Sequence, residues 1–208
     1  MLLETLTLLS PFVLQEPLDP KDKAPESSSA WTTSLSTYWY EPPDESGYLS
    51  GILRADRGVL HLEAHWAYED RDTLSLFVGR TIPIEGEVSG AFTPRIGIAG
   101  GDSDGVIPAA ALDLSWKSLS FTTDVQYLIG TSDDTSDFLY SWSELSWTFA
   151  ERFSVGLVGQ RTNVFDQELT IDRGFLAGVN LGPTYITAYW FNPDVDDPYF
   201  SIAIGAAF

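Results

Sequence analysis

From Trp31 to the C-terminal Phe208, apolar and polar residues alternate with period 2, and turn-forming residues break the alternation at short intervals. The stretch SLSFTTDVQYLIG is the clearest case: Leu119, Phe121, Thr123, Val125, Tyr127 and Ile129 share one face, and Ser120, Thr122, Asp124 and Gln126 share the other. GVLHLEAHWAYE likewise sets Leu60, Leu62, Ala64, Trp66 and Tyr68 against His61, Glu63, His65, Ala67 and Glu69. A period of two belongs to strands. The spacing predicts twelve of them, over 31–40, 47–56, 58–69, 72–81, 88–99, 106–117, 118–130, 137–149, 152–163, 168–181, 184–192 and 198–208. Most have the length that a tilted membrane strand needs, about 9–11 residues.

Alternation alone does not select a membrane, because a soluble sandwich or barrel also alternates and hides its apolar face inside. The connections decide. Counted back from Phe208, one set is NPDVDDP, NVFDQE, TSDDTSD, GGDSDG, EDRD and EPPDESG; the other is LGPT, FAERF, WKS, TIPIEGEVSG and ADRG. The first set is crowded with Asp and Glu and has Arg71 as its only basic residue, whereas Lys117, Arg152 and Arg57 lie in or beside the tight turns of the second. Only TIPIEGEVSG is longer and more acidic than that pattern wants. Sorting of charge and length by loop parity is what an up-and-down barrel with two different rims produces.

Composition narrows the function classes. The chain has 208 residues, 44% of them hydrophobic, which is enough for one domain. A net charge of −19 with 11 Lys and Arg excludes nucleic acid as a partner, since phosphates would be repelled. The absence of cysteine excludes disulfides and thiolate chemistry. No window approaches the 18 consecutive apolar residues of a membrane helix, so strands must do any spanning. Residues 1–30 differ from the rest: LTLLSPFVL has the core of a signal peptide without a basic flank or small-residue cleavage site, and EPLDPKDKAPESSSA reads as a linker. The expected division is a tail or incomplete signal peptide over 1–30 and one barrel over 31–208.

Aromatic residues fall near the two ends of the predicted strands. Trp39, Tyr48, Trp66, Tyr68, Tyr127, Tyr140, Tyr189, Phe191 and Phe200 lie near the acidic rim, and Trp116, Phe121, Trp147, Phe149, Phe153, Tyr185 and Phe208 near the other. They are expected to form two interfacial belts. The C-terminal YFSIAIGAAF places Phe200, Ile202, Ile204, Ala206 and Phe208 on one face and ends on an aromatic. On these residues the chain resembles the Gram-negative outer-membrane β-barrels, and among them a small porin-like protein. The resemblance implies an all-β, up-and-down antiparallel transmembrane barrel of twelve strands with both chain ends at the periplasmic rim. It also implies an outer-membrane location, contact with lipid and lipopolysaccharide, and delivery by the barrel-assembly machinery, which reads the C-terminal pattern.

With the apolar set facing lipid, the expected pore lining is His61, Glu63, His65, Arg95, Asp113, Asp124, Gln126, Glu144 and Asp172, with Lys117 at the same parity. Asp124 and Glu144 are expected nearly opposite each other, Asp113 at that level one strand over, and Arg95 within reach. Such a cluster makes either a salt-bridged plug or an acidic constriction. Small inward positions, Ser120, Gly97, Ala111, Gly156, Gly178, Ala203 and Gly205, should leave room for solutes. The expectation is a narrow, cation-favouring pore for small hydrophilic solutes, with rings of carboxylate as the selecting element. The alternative is a closed structural or adhesive barrel that acts through its acidic loops. A hydrolase is the weaker possibility: no G-x-S-x-G or H-E-x-x-H occurs, and on a strand His61 and His65 stand roughly 13 Å apart, too far for one metal. No catalytic residue, cofactor or dedicated metal site is expected. Asp102, Asp104, Asp133, Asp134, Asp194, Asp196 and Asp197 could bind Ca²⁺ weakly and bridge it to lipopolysaccharide, hard cations preferring oxygen ligands.

Overall fold

The computed structural model describes residues 30–41, 46–68, 71–132, 135–164 and 170–208. The expected N-terminal tail lies, but for Ala30, outside the described residues. Thirteen strands follow in chain order: β1 (Thr32–Glu41), β2 (Tyr48–Arg57), β3 (Leu60–Trp66), β4 (Thr73–Arg80), β5 (Ile82–Ile84), β6 (Ser89–Gly101), β7 (Gly105–Trp116), β8 (Leu119–Gly130), β9 (Phe138–Phe149), β10 (Phe153–Val164), β11 (Thr170–Leu181), β12 (Thr184–Phe191) and β13 (Tyr199–Ala207). β4 and β5 are two halves of one stave, since both pair with β6 in a single register, Gly79 opposite Arg95 and Ile82 opposite Phe92. The unpaired stretch between them is Arg80 and Thr81, opposite Pro94 and Thr93, and Pro94 has no N–H to give to a ladder. A similar gap in the β7–β8 ladder falls at Ile107–Pro108.

Each strand pairs antiparallel with its chain neighbours, and β1 closes the sheet on β13, from Ser34 opposite Ala207 to Glu41 opposite Phe200. Thr33 N donates to the Phe208 carbonyl at 3.1 Å and Phe208 N to the Thr33 carbonyl at 2.9 Å, so the chain's last residue is stitched to its first strand. The result is the expected closed barrel of twelve staves, which leaves no unpaired edge in lipid. The connection TIPIEGEVSG is shorter than its sequence suggests, although Glu85 and Glu87 keep it more acidic than the rest of its rim. Ile82–Ile84 and Ser89–Gly90 lengthen the hairpin, and only 85–88 turn. At the same rim Lys117 and Gly182 adopt positive φ, 55° and 74°, which is how two-residue turns reverse a twisted pair.

The outer wall is apolar. Leu74, Leu76 and Val78 on β4, Ile96 and Ile98 on β6, and Ile202 and Ile204 on β13 are all about half exposed. A soluble protein rarely exposes a contiguous apolar patch beyond a few hundred Å². This band goes round the barrel, as a lipid-facing wall requires. The belts are narrower than the sequence suggested. Trp39 and Phe200 do point outward near the loop rim, joined by Trp190, which the sequence reading did not place there, and Trp116, Trp147, Phe149, Phe153 and Phe208 near the terminal rim. Tyr48, Tyr140, Tyr185, Tyr189 and Phe191, however, take the inward parity of their strands, and Tyr68 packs with that inner group. Belt membership was read from depth along the strand, but depth does not fix which face a side chain takes; parity does.

Candidate functional site in the lumen

Strand parity carries the polar set inward. His61, Glu63, His65, Arg95, Asp124, Gln126 and Glu144 are buried inside the barrel, and Asp113 and Asp172 sit on the same inner face, half-buried. Lys117 does not join them. It lies in the β7–β8 turn with its Nζ 4.7 Å from the Trp116 ring, because the strand ends one residue earlier.

Glu63 is the hub. Its carboxylate pairs with Arg54, meets Arg95 Nε at 3.2 Å and His65 Nε2 at 2.6 Å, and lies 3.4 Å from His61 Nε2. Arg95 continues to Asp124, Nη2 to Oδ2 at 2.5 Å, and Gln126 Nε2 donates to the other Asp124 oxygen at 3.1 Å. His61 turns its Nδ1 to Asp56 Oδ1 at 2.8 Å. Glu63 thus stands between His61 and His65, with two guanidiniums on it. It is occupied as a counter-ion rather than free as a base. Among the described residues no group of three His, Cys, Asp or Glu could hold a metal.

Two members of this network, Arg54 and Asp56, escape the sequence reading. In YLSGILRADR the run Gly51, Ile52, Leu53 blurs the parity, although Tyr48, Ser50, Ile52, Arg54 and Asp56 do share the inner face. The expected pairing of Asp124 with Glu144 is also corrected. Register sets Asp124 opposite Trp142 and Glu144 opposite Thr122, which in turn faces Asp113. Glu144 is held by Trp142 Nε1 and Tyr189 OH, each donating at 2.8 Å.

On the loop side of the charge network the lumen is filled by rings. Tyr38 of β1 meets Trp142 of β9 edge-on, centroids 6.2 Å apart, and Tyr68 meets Tyr140 at 5.5 Å, with Tyr140 OH 3.4 Å from Tyr68 OH. β1 and β9 lie on nearly opposite sides of the barrel, so these contacts cross it. Tyr189 and Phe191 pack on Trp142 at 5.2 and 5.6 Å. Two of the small inward residues serve this packing, while Ala111 and Ser120 line the cavity described below. A Cβ on Gly205 would lie 2.2 Å from the Tyr185 ring, and one on Gly97 would lie 2.4 Å from the Phe77 ring. Those glycines therefore house neighbouring rings and do not widen the passage, contrary to the expectation that they leave room. The sequence gives the parity of each ring but not which ring fills which gap.

Toward the terminal rim the lumen opens into a cavity of about 260 Å³, lined by Thr32, Ser34, Arg54, Asp56, His61, Glu63, Thr93, Arg95, Asp113, Ser120 and Thr122 among others. At the loop rim, Asn192 Nδ2 donates to Asp172 at 2.7 Å and Arg173 Nη2 to Asp194 at 2.5 Å. The Arg173 hydrogen bond holds the exposed Asp194 carboxyl below its ordinary pKa. Asp104 Oδ1 accepts from Gly101 N at 3.3 Å. Of the loop carboxylates considered for Ca²⁺, Asp133 and Asp134 lie outside the described residues.

No protein-family model and no curated protein sequence matches the chain. Solved structures do. The KdgM porin in complex with disordered oligogalacturonate superposes with a TM-score of 0.58 at 10% identity, over 84% of this chain and 99% of that one. The KdgM porin alone gives a TM-score of 0.54 at 9% identity over 85% and 99%. The NanC porin gives 0.53 at 10% over 85% and 98%. With its lipid-type exterior and closed twelve-stave wall, the chain has the fold of the outer-membrane porins.

Proposed function

We propose that the barrel is a narrow channel of the Gram-negative outer membrane for small hydrophilic solutes, and that it favours cations. The observation that carries this reading is the charge on the inner wall. Arg54 and Arg95, with His61 and His65 as the only other basic groups of the described inner wall, stand against six acidic side chains, Asp56, Glu63, Asp113, Asp124, Glu144 and Asp172. A carboxylate excess in a low-dielectric passage lowers the energy of a cation and raises that of an anion. A solute such as the oligogalacturonate of the KdgM complex, which carries carboxylates of its own, is disfavoured in this lumen. Rotation of the ring side chains at the Tyr38–Trp142 waist is the step that admits a solute.

One observation favours a second reading. The waist rings touch across the lumen, as the core of a closed structural barrel would, and such a barrel would act through its acidic loops. Planar-bilayer recording under a KCl gradient separates the two. The channel reading predicts small conductance steps and a reversal potential of cation sign, with the preference reduced by Asp124→Asn and Glu144→Gln. Silence, or anion preference, sinks it.

A further inference from the structure

In the cavity at the terminal-rim end of the lumen, the carboxyl group of Asp113 makes no salt bridge among the described residues. Asp113 on β7 and Thr122 on β8 are register partners, and both line the cavity. Asp113 Oδ1 and Thr122 Oγ1 are buried, and neither meets a hydrogen-bond partner from the protein among the described residues. Thr122 as a residue is only 6% exposed. The surrounding wall is hollowed by short side chains, Ala91, Thr93, Ala111, Ser115 and Ser120.

The other charges on this wall are already matched. Arg54 is taken by Glu63, Arg95 by Asp124 and Glu63, and Asp56 by His61. Asp113 is left as a carboxyl group without an ion-pair partner beside an unused hydroxyl. A buried carboxylate is tolerated when it is paired and hydrogen-bonded, and costs heavily otherwise. The cavity, about 260 Å³, has room for a small solute where that pairing is missing, a water molecule having a share of about 30 Å³ in the liquid.

We propose that this cavity is a binding site for a small monovalent cation of the alkylammonium class. Asp113 Oδ1 and Thr122 Oγ1 are closed to water as they stand, so binding turns both side chains toward the cavity, where the ammonium donates one N–H to each and its alkyl group lies against Ala91 and Ala111. The carboxylate supplies the charge and the hydroxyl the second acceptor, while Arg54 and Arg95 on the same wall are held by Glu63 and Asp124. The site deepens the channel reading and rests on it for a role in transport: cations would pause there on the terminal side of the waist.

The test is titration calorimetry of the purified barrel in detergent micelles with methylammonium chloride, with sodium acetate as the charge-reversed probe. Saturable methylammonium binding is expected, with no response to acetate. Asp113→Asn should weaken it by about tenfold or more, the value of a hydrogen bond to a charged group. Thr122→Val should weaken it by a smaller factor. No saturable binding to the wild type, or equal binding to Asp113→Asn, overturns the site. If Asp113→Asn does not fold, Thr122→Val decides, and unchanged binding there overturns it. Binding without conductance would sink the channel and keep the site; conductance without binding would do the reverse.

Discussion

Glu63 is the residue on which most of the inner charge depends, since Arg54, Arg95, His61 and His65 all reach its two oxygens. Removing one partner of a buried ion pair leaves the other uncompensated, at about 3–5 kcal/mol. Glu63→Ala is therefore expected to lower the barrel's stability by that order, read by urea unfolding in lipid vesicles; a change within error would mean that water, not Glu63, satisfies the guanidiniums. His61, Glu63 and His65 were legible because HLEAH alternates without interruption. Arg54 was not, because three successive apolar residues hide the parity of its strand. The pairing of charges was not legible either, since it depends on register, and a shift of two residues replaces Glu144 by Trp142 as the neighbour of Asp124.

At the scale of strands and loops, the inward glycines are shaped to fit rings on neighbouring strands. Gly205 of β13 lies under Tyr185 of β12, whose hydroxyl donates to Ser36 of β1 at 2.8 Å. Gly205→Val should push that ring aside, break the bond to Ser36 and cost about 1–3 kcal/mol as an overpacking change. The check is thermal unfolding followed by near-ultraviolet circular dichroism, with loss of the Tyr signal preceding loss of strand. The strands themselves were readable to within a few residues because period 2 is strong when one face meets lipid. The break after Arg80 was not, since Arg80 lies opposite Pro94 on a different strand. Between β11 and the β12–β13 loop, the Arg173 hydrogen bond lowers the pKa of Asp194. A group depressed in the folded state stabilises it above its unfolded pKa, about 3.9 for Asp, and loses that contribution as pH falls through the folded value. Both side chains are exposed, so the effect is local. Carboxyl NMR titration should place the Asp194 midpoint below that of an ordinary Asp and return it toward normal in Arg173→Gln.

For the whole molecule, closure follows from the sequence by counting: an even number of staves, two unlike rims and a C-terminal strand that pairs with the first. What fills the closed barrel does not follow, because packing across the lumen joins residues a hundred positions apart, as Tyr38 and Trp142 are. Those two rings make the waist, and in the proposed channel the waist sets the rate at which solutes pass through the lumen. The most direct measurement is the single-channel conductance of Trp142→Ala beside that of the wild type, in the same bilayer and salt gradient, on protein shown to be folded. Truncation of a buried Trp costs about 3–5 kcal/mol but removes the ring that bridges the lumen. The account predicts a larger conductance step with the cation preference retained, since Asp113, Asp124 and Glu144 remain. A variant that stays silent like a closed barrel, or conducts no better than the wild type, would contradict it.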